Sequence, residues 1–388
     1  MMQRCLSLDD FEAAARRHLP RMLHGFVAGG AETDQSLRDN RAAFAEWAFL
    51  PRALTDTAAR DQSTLLLGTR HTAPFGIAPM GIGAICAYRS DVVLARAAAA
   101  AGIPMITSAS SLIPMEEIRG AGSDWYQAYL PGEEPRIAAL VDRVKAAGYG
   151  TFVLTADVPV PANREHNLRN GFSVPLQPSA RLVWEGATHP AWLLGTFART
   201  LLRHGMPHFE NMDATRGPPI LSRDLVRQVG QRDRLHWRHL AFIRARWPGP
   251  LVVKGLLAPT DVRRAREAGA DAVILSNHGG RQLDGSIAPM RMLPEAVAAA
   301  GGMPVLLDGG IRRGTDVLKA LALGASFVFV GRPFLFAAAV AGEAGVTRAI
   351  TLLREEIHRD MALLGVTAVA QLEGDLLRPL VPMPAQAA

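Results

Sequence analysis

The chain has 388 residues, of which 49% are hydrophobic and 20% are charged, a composition typical of a soluble globular protein with a large core. Its two cysteines, Cys5 and Cys86, lie far apart and match no ligand spacing, which argues against a disulfide framework and against a metal site. The net charge of +6 comes from scattered arginines without interleaved aromatic residues. This pattern argues against nucleic-acid binding and favours an anionic substrate, cofactor or membrane surface.

The N-terminal segment, residues 1–70, precedes the first strand pattern and carries a helical pattern from Leu8 to Leu23. It lacks the apolar core of a signal peptide, and no run in the chain approaches the roughly 18 uninterrupted apolar residues of a membrane span. We therefore expect a cytoplasmic protein.

Short β-rich apolar runs then alternate with helical patterns along the chain. The candidate strands are Phe75–Pro79, Pro104–Ser108, Trp125–Ala128, Thr151–Asp157, Leu251–Lys254, Ala272–Ser276, Val305–Asp308 and Ser326–Val330. The clearest helical patterns are Asp91–Ala101, Arg136–Ala147, Pro259–Ala268 and Gly314–Leu323. Eight such units predict an α/β fold, a closed (β/α)8 TIM barrel over residues 71–345. Residues 1–70 would close its bottom or lend a residue to its mouth, and residues 346–388 would form a C-terminal helix and tail.

The connection from Asp157 to Trp237 is far longer than the roughly 15 residues beyond which barrel loops are usually functional or disordered. Within it, residues 177–215 form an insertion after the fourth strand that mixes apolar and cationic side chains. They are Trp184, Trp192, Leu193, Leu194, Phe197, Leu201, Leu202, Arg181, Arg199 and Arg203. This mixture is typical of a segment that lies in a membrane interface, here the inner face of the cytoplasmic membrane. A lid that packs its apolar residues on the barrel mouth is the alternative, and the two roles are compatible.

The stretch from Ser276 to Gly285 follows a buried strand and therefore lies at the carboxyl end of the barrel, where catalysis takes place in this architecture. His278 can transfer a proton near neutral pH. Arg281 offers a planar guanidinium that binds a carboxylate through two hydrogen bonds. The alternative is a turn at a helix N-terminus in which the histidine merely caps the helix.

Other strand ends carry further polar or glycine residues. They are Pro79, Met80, Gly81, Ser108, Gln127, Tyr129, Thr155, Asp157, Arg164 and Lys254. Each one alone could be an ordinary strand or capping residue, but their recurrence at one end of the barrel indicates a site. The last two strands end in Asp308-Gly309-Gly310-Ile311-Arg312 and Gly331-Arg332. Glycines, a following helix N-terminus and arginines on these loops predict a phosphate site.

The Ser-Asn-His-Gly-Gly-Arg-Gln motif that begins at Ser276 is highly specific, and the chain resembles the FMN-dependent L-2-hydroxy acid dehydrogenases and oxidases. This family includes glycolate oxidase, L-lactate dehydrogenase and mandelate dehydrogenase. The resemblance runs from Leu19-Pro20-Arg21-Met22 to Gly342-Glu343-Ala344-Gly345-Val346. In His189-Pro190 and Arg203-His204-Gly205-Met206-Pro207 it is greatest to membrane-associated mandelate and lactate dehydrogenases.

The resemblance implies FMN as cofactor and oxidation of an L-2-hydroxy acid to the 2-oxo acid, with electrons passed to a quinone or other acceptor. It also implies a homo-oligomer, a tetramer. By position, His278 matches the catalytic base, Asp157 the carboxylate that orients it, Tyr129 the phenol on the substrate hydroxyl, and Arg281 and Arg164 the carboxylate-binding arginines. The implied cofactor-binding residues are Pro79, Met80, Gly81, Ser108, Gln127, Thr155, Lys254, Ser276, Asp308, Gly309, Gly310, Arg312, Gly331 and Arg332.

Three positions depart from family patterns. His24 stands where relatives similar to glycolate oxidase carry a substrate-binding tyrosine, and we expect a protonated histidine to replace that contact. Ser110 replaces a bulky tryptophan, which leaves room for a larger substrate side chain. Gly81 replaces the alanine of oxidase members and favours a dehydrogenase.

Other functions on a flavin barrel stay open at this point. They are a hydroxy acid oxidase that uses O2, a net non-redox isomerase like the type 2 isopentenyl diphosphate isomerases, and a maturation enzyme for a modified peptide. Neither of the last two needs His278 together with the arginine pair. A catalytically inactive barrel that serves as a binding partner is a further alternative, disfavoured because only the His24 position lacks the required group.

Overall fold

The computed structural model describes residues 4–173, 175–177, 179–222 and 232–380. Its N-terminal segment contains three helices and three short strands. These are α1 (Leu8–His18), α2 (Arg21–Ala28), α3 (Gln35–Ala45), β1 (Trp47–Phe49), β2 (Thr64–Leu66) and β3 (Thr69–His71). The predicted pattern from Leu8 to Leu23 is divided between α1 and α2. Pro20 divides it because proline forces the preceding residue out of the helical region, and Leu19 is extended.

Eight parallel strands form the barrel, which confirms the predicted fold. They are β4 (Phe75–Ile77), β5 (Ile106–Ser108), β6 (Trp125–Ala128), β7 (Thr151–Thr155), β8 (Leu251–Leu256), β9 (Ala272–Leu275), β10 (Val305–Asp308) and β11 (Phe327–Val330). Hydrogen bonding follows the order β4-β11-β10-β9-β8-β7-β6-β5, and a parallel bridge between Ile77 and Met105 joins the two ends. Because both faces of these strands are covered, their sequences read as continuous apolar runs.

Helices surround the barrel and also occupy the long connection after β7. They are α4 (Ser90–Ala101), α5 (Met115–Gly120), α6 (Glu134–Ala146), α7 (Glu165–Asn170), α8 (Ala180–Thr188), α9 (Pro190–Trp192), α10 (Arg199–His204), α11 (Trp237–Arg246), α12 (Pro259–Glu267), α13 (Pro289–Ala300), α14 (Gly314–Ala322) and α15 (Arg332–Leu364). A π-helix, Leu193–Ala198, joins α9 to α10. At the C-terminal end β12 (Leu377–Pro379) pairs antiparallel with β1.

Helix α15 crosses the predicted boundary between the barrel and the C-terminal helix at residue 345. It bends instead at Ala341 and Gly342, whose backbone leaves the helical region with φ 56° at the glycine. By length and composition α15 could span a membrane, but much of it is buried against α1, α4 and α14. It is therefore a core helix of the barrel.

The N-terminal segment lies at both of the expected positions, the bottom of the barrel and its mouth. The β2–β3 hairpin inserts Leu66 into the cluster inside the barrel, beside Trp125 and Phe327 at the amino ends of their strands. At the other end, the Ala31 amide donates to the Gly280 carbonyl oxygen at 2.8 Å. This segment therefore closes the bottom of the barrel and also reaches its mouth.

The insertion exposes many of its apolar side chains, whereas Trp192 and Phe209 are buried. Trp192 is only 4% exposed, and its indole N–H donates to the Ile85 carbonyl oxygen at 2.8 Å. Trp184 and Leu202 are 70% and 87% exposed. Trp192 thus fixes the insertion to the barrel and is unavailable to a membrane, whereas the apolar face around it remains open to solvent.

Candidate active site

A cavity of about 760 Å³ opens at the carboxyl ends of the barrel strands. The structure brings together there most of the residues that the sequence assigned to the site. Its lining includes Pro79, Met80, Gly81, Gln127, Tyr129, Thr155, Arg164, Lys254, His278, Arg281, Asp308, Gly309, Gly310, Arg312, Gly331 and Arg332. Ser108, Asp157 and Ser276 lie behind this lining, where they hydrogen-bond Gln127, His278 and Lys254 respectively.

His278 is held between an acid and a phenol. Its Nδ1 lies 3.0 Å from Asp157 Oδ1, and its Nε2 lies 3.3 Å from the Tyr129 hydroxyl. Burial raises the pKa of the Asp157 carboxyl, but the adjacent His278 and Lys254 outweigh it, so the net shift is downward and the carboxylate stays ionised. This contact favours the tautomer with the proton on Nδ1, which leaves Nε2 free to accept a proton from a substrate.

The loop that carries His278 has a backbone that few sequences tolerate. His278 has φ 59°, and Gly279 and Gly280 follow with φ 64° and 72°. A Cβ at Gly280 would lie 2.4 Å from the Leu37 backbone nitrogen, so this position requires glycine. The left-handed conformation of His278 is strained, and surrounding contacts must hold it.

Those contacts come from the N-terminal segment. The side-chain amides of Asn277 and Asn40 exchange two hydrogen bonds of 2.7 and 2.8 Å. Asn277 Oδ1 also accepts from the Gly280 amide at 3.0 Å. Helix α3 therefore positions the catalytic loop, although it is distant from it in sequence.

Three half-buried arginines form a cationic cluster on one side of the cavity. Arg281 Nη1 donates to the Gly29 carbonyl oxygen at 2.7 Å, and Arg332 donates to Gly29 and Gly279. Arg164 Nε donates to the Arg281 carbonyl oxygen at 3.2 Å. Burial and then the neighbouring arginines lower the pKa of Arg281 well below its usual value. A cluster that disfavours its own charge in this way has a strong preference for a bound anion.

The other side of the cavity fits a flavin ring. Lys254 Nζ pairs with Asp308 Oδ2 and donates to the Ser276 hydroxyl, both at 2.6 Å. Burial lowers the pKa of Lys254, but Asp308 and Asp157 outweigh burial and raise it, so the ammonium stays charged. Three of the buried polar atoms on this side of the cavity have no hydrogen-bond partner among the described residues. They are Gln127 Nε2, Thr155 Oγ1 and Asp308 Oδ1.

Unsatisfied donors and acceptors around this part of the cavity match a planar ring with polar edges, and FMN has such a ring. Its phosphate fits the loops after β10 and β11. Gly310 has φ 84°, and a Cβ there would lie 2.1 Å from the Asn40 carbonyl oxygen. Arg312 and Arg332 supply the positive charge beside the N-termini of α14 and α15. The residues present therefore fit the cofactor.

His24 is the one predicted site residue that the structure places elsewhere. Its ring stacks on Phe336, with centroids 5.6 Å apart, and its Nε2 is buried without a hydrogen bond. Burial lowers the pKa of His24, which disfavours the protonated form expected from the sequence. Phe26 lines the cavity instead. Residues two apart on a helix point about 200° apart, so only one of the two can face the site.

Sequence reasoning also missed cavity residues supplied by the long connection. Phe172, Phe209 and Met212 line its apolar part. Arg232 lies over the Tyr129 ring, with its guanidinium carbon 4.5 Å from the ring centroid. None of these residues follows a barrel strand, so the inventory of strand ends could not find them.

Comparison with known proteins identifies the family to which this chain belongs. Residues 15–379 match the model of the FMN-dependent dehydrogenases. The chain belongs to this family. It is 38% identical to (S)-mandelate dehydrogenase of Pseudomonas putida, over 97% of this chain and 95% of that protein. It is 40% identical to L-lactate dehydrogenase of Ectopseudomonas mendocina, over 95% of this chain and 97% of that protein.

Solved structures of related proteins support the same family assignment. A crystal structure described as the monotopic membrane protein (S)-mandelate dehydrogenase superposes with a TM-score of 0.90, at 38% identity, over 97% of this chain and 100% of that one. A mandelate oxidase structure superposes with a TM-score of 0.79 at 36% identity, over 96% of this chain and 98% of that one. The predicted family, its FMN cofactor and its 2-hydroxy acid dehydrogenase function are confirmed.

Proposed function

We propose that this dehydrogenase oxidises a mandelate- or lactate-like L-2-hydroxy acid and passes the electrons to a quinone at the inner face of the cytoplasmic membrane. The observation that carries this proposal is the arrangement of His278. One of its ring nitrogens contacts the Asp157 carboxylate and the other contacts the Tyr129 phenol, beside a half-buried cationic cluster. Oxidation of a 2-hydroxy acid needs one base, cationic anchoring and an electron acceptor, and this cavity has a place for each.

In the proposed mechanism, Arg281 and Arg164 bind the substrate carboxylate and so fix the α-carbon near His278 Nε2. Nε2 then removes a proton from the substrate, and Asp157 stabilises the imidazolium that forms. Burial raises the pKa of Tyr129, which keeps its phenol protonated as a hydrogen-bond donor to the substrate hydroxyl. FMN, when bound, would supply the acceptor for the two electrons and for the second proton that the substrate loses.

The apolar part of the cavity supports a substrate with a sizeable side chain. Ser110 lines the cavity, where its small side chain leaves space, and Phe26, Phe172 and Phe209 offer aromatic surface. The test is an anaerobic assay of L-2-hydroxy acids, first with a dye as acceptor and then with a soluble quinone. We expect turnover with both acceptors. Failure of every 2-hydroxy acid to reduce the flavin would refute the proposal.

The choice between quinone and O2 depends on the neighbourhood of Gly81. A Cβ at this position would lie 2.6 Å from Ser110 Cβ, so alanine requires Ser110 to shift. In accordance with the alanine of oxidase relatives, Gly81→Ala should raise peroxide production severalfold. The matched variant Gly81→Ala/Ser110→Gly removes the steric conflict and separates it from the effect of the methyl group. Unchanged peroxide production in both would contradict the assignment.

The exposed apolar face of the insertion supports attachment to a membrane surface, as does similarity to a monotopic membrane protein. The intact protein should sediment with membranes when cells are fractionated without detergent. Replacement of residues 177–215 by a short flexible loop should release it. A fully soluble intact protein would contradict attachment. The homotetramer implied by resemblance stays a prediction, to be checked by light scattering.

A further inference from the structure

The cavity contains more cations than the proposed reaction uses. Six basic side chains line it and only two acidic ones. The basic residues are Arg164, Arg232, Lys254, Arg281, Arg312 and Arg332, and the acidic ones are Asp233 and Asp308. In the site described above, Arg312 and Arg332 serve the phosphate, Lys254 pairs with Asp308 near the flavin, and Arg281 and Arg164 serve the substrate carboxylate. Only Arg232 has no assigned role.

Arg232 is buried, with 8% of its surface exposed. The one described contact of its guanidinium is the face of the Tyr129 ring, whose centroid lies 4.5 Å from the guanidinium carbon. It forms no ion pair with any described residue, whereas the neighbouring Asp233 is exposed. A buried guanidinium is costly without a counter-ion, and a contact with an aromatic face offsets only part of that cost.

The position of Arg232 relative to the reacting atoms is set by Tyr129. The Tyr129 hydroxyl lies 3.3 Å from His278 Nε2, and Arg232 covers the ring of the same side chain. Arg232 is therefore about one phenol ring away from the base, within reach of a substrate side chain whose α-carbon lies at His278.

We propose that Arg232 determines substrate specificity by binding an anionic group at the far end of the substrate side chain. The inference rests on the proposed oxidation of 2-hydroxy acids and deepens it. Favoured substrates are 2-hydroxy acids with a second, distal carboxylate. Such a group gives Arg232 a counter-ion, whereas a wholly apolar side chain leaves the charge buried without a counter-ion among the described residues.

Two pairs of substrates with matched shape test this inference in the FMN-loaded enzyme. One pair is L-2-hydroxyglutarate and L-2-hydroxy-5-methylhexanoate, and the other is 4-carboxymandelate and 4-isopropylmandelate. Wild-type enzyme should favour the charged member of at least one pair in kcat/KM. In Arg232→Gln the ratio of charged to apolar substrate should fall about 10- to 100-fold, the usual effect of losing a hydrogen bond between charged groups.

The control Arg234→Gln removes the same charge from an exposed position two residues away and should leave the ratio unchanged. Arg232→Lys should restore part of the preference, and flavin content shows whether each variant retains the cofactor. A wild-type enzyme that favours the apolar member of both pairs would overturn the inference. Equal losses of kcat on both members in Arg232→Gln would also overturn it, because Arg232 would then act through Tyr129 alone.

Failure of the two proposals can be told apart. If lactate and mandelate reduce the flavin but a distal carboxylate confers no advantage, only the role of Arg232 is wrong. If no 2-hydroxy acid reduces the flavin, the proposed function is wrong, and this specificity falls with it.

Discussion

Two regions differ in which side chains they bury. They are the catalytic loop, residues 276–285, and the insertion, residues 177–215. The loop buries polar side chains at the mouth of the barrel and supplies each with partners, as Asn277 and Ser276 show. The insertion exposes large apolar side chains such as Trp184 and Leu202. Burial of polar side chains is tolerated in the loop because they have partners, whereas exposed apolar surface costs free energy in water. The polar groups of the loop are therefore satisfied within the chain, and the exposed face of the insertion fits the proposed membrane contact.

The two regions are also held in place by different contacts. At the end of the loop, Asp284 accepts hydrogen bonds from the Thr33 amide and hydroxyl and from the Ser36 amide, at 2.6 to 2.9 Å. Burial raises the pKa of Asp284, but these hydrogen bonds outweigh burial and lower it to about 2. The loop is thus fixed by contacts distant in sequence. The insertion is held by the buried ring of Trp192 and, near its C-terminal end, by Asn211, whose side-chain amide accepts from the Met115 amide and donates to the Ile113 carbonyl oxygen, both at 2.8 Å. The exposed side chains between these two points make few such contacts, so they tolerate substitution better.

The largest expected effect on the loop side is that of His278→Gln. This variant should keep FMN and lose about 10² to 10⁴ in the rate of flavin reduction, the usual size of general base effects. Anaerobic stopped-flow absorbance measures this rate. His358→Gln, which changes an exposed histidine on α15, is the matched control. Near-normal reduction in His278→Gln would remove this residue from the mechanism.

Arg281→Lys tests whether the cationic cluster depends on geometry as well as on charge. An ammonium cannot bind a carboxylate through two parallel hydrogen bonds, so kcat/KM should fall about 10- to 100-fold. Arg263→Lys, at an exposed position on α12, makes the same exchange outside the cavity and should have no effect. Equal kinetics in wild type and Arg281→Lys would place the carboxylate site elsewhere.

Asp157→Asn tests how much the ionised carboxylate beside His278 stabilises the fold, through the pH dependence of the free energy of unfolding. Its pKa is lower in the folded chain than in the unfolded chain because His278 and Lys254 outweigh burial. A group of this kind stabilises the fold above its unfolded pKa, and this stabilisation is lost as pH falls through the folded pKa. Asp157→Asn should therefore cost about 1.5 to 3 kcal/mol near pH 7, the usual range for hydrogen bonds to charged groups.

Denaturant unfolding of wild type and Asp157→Asn at pH 7, 5 and 3 measures this difference. The free energies of unfolding should converge toward acid pH, because Asp157 becomes protonated in the wild type. A difference that stays constant over this range would show that the substitution acts through packing and not through charge.

Much of the fold was predictable because barrel strands are buried on both faces and their apolar runs stand out. The rule that catalytic residues lie at the carboxyl ends of barrel strands then located His278, Arg281 and Lys254 at the same mouth of the barrel. This rule could not predict contacts made by residues that do not directly follow a barrel strand. Asn40 reaches the loop from α3, and Arg232 reaches the cavity from the long connection, so only the folded chain shows them.

His24 shows a second limit of sequence reasoning. Matching a residue to a family position does not say which face of a short helix points to the cavity. In α2 the exposed and buried sides alternate within eight residues, and an offset of two positions turns the side chain away from the site. Phe26, not His24, faces the cavity as a result.

The smallest effect per substitution is expected on the insertion side. Trp184, Leu194 and Leu202 are each at least 68% exposed. If they enter a lipid interface, each change to serine should weaken vesicle binding about 10-fold, which corresponds to about 1.4 kcal/mol, slightly less than full burial of such a side chain contributes. Flotation with vesicles that contain anionic lipid measures this binding. The control is Leu65→Ser, a 69% exposed leucine on the β2–β3 hairpin at the opposite end of the barrel. If Leu65→Ser weakens binding as much as Leu202→Ser, general surface hydrophobicity drives the binding, and the insertion is not the membrane anchor.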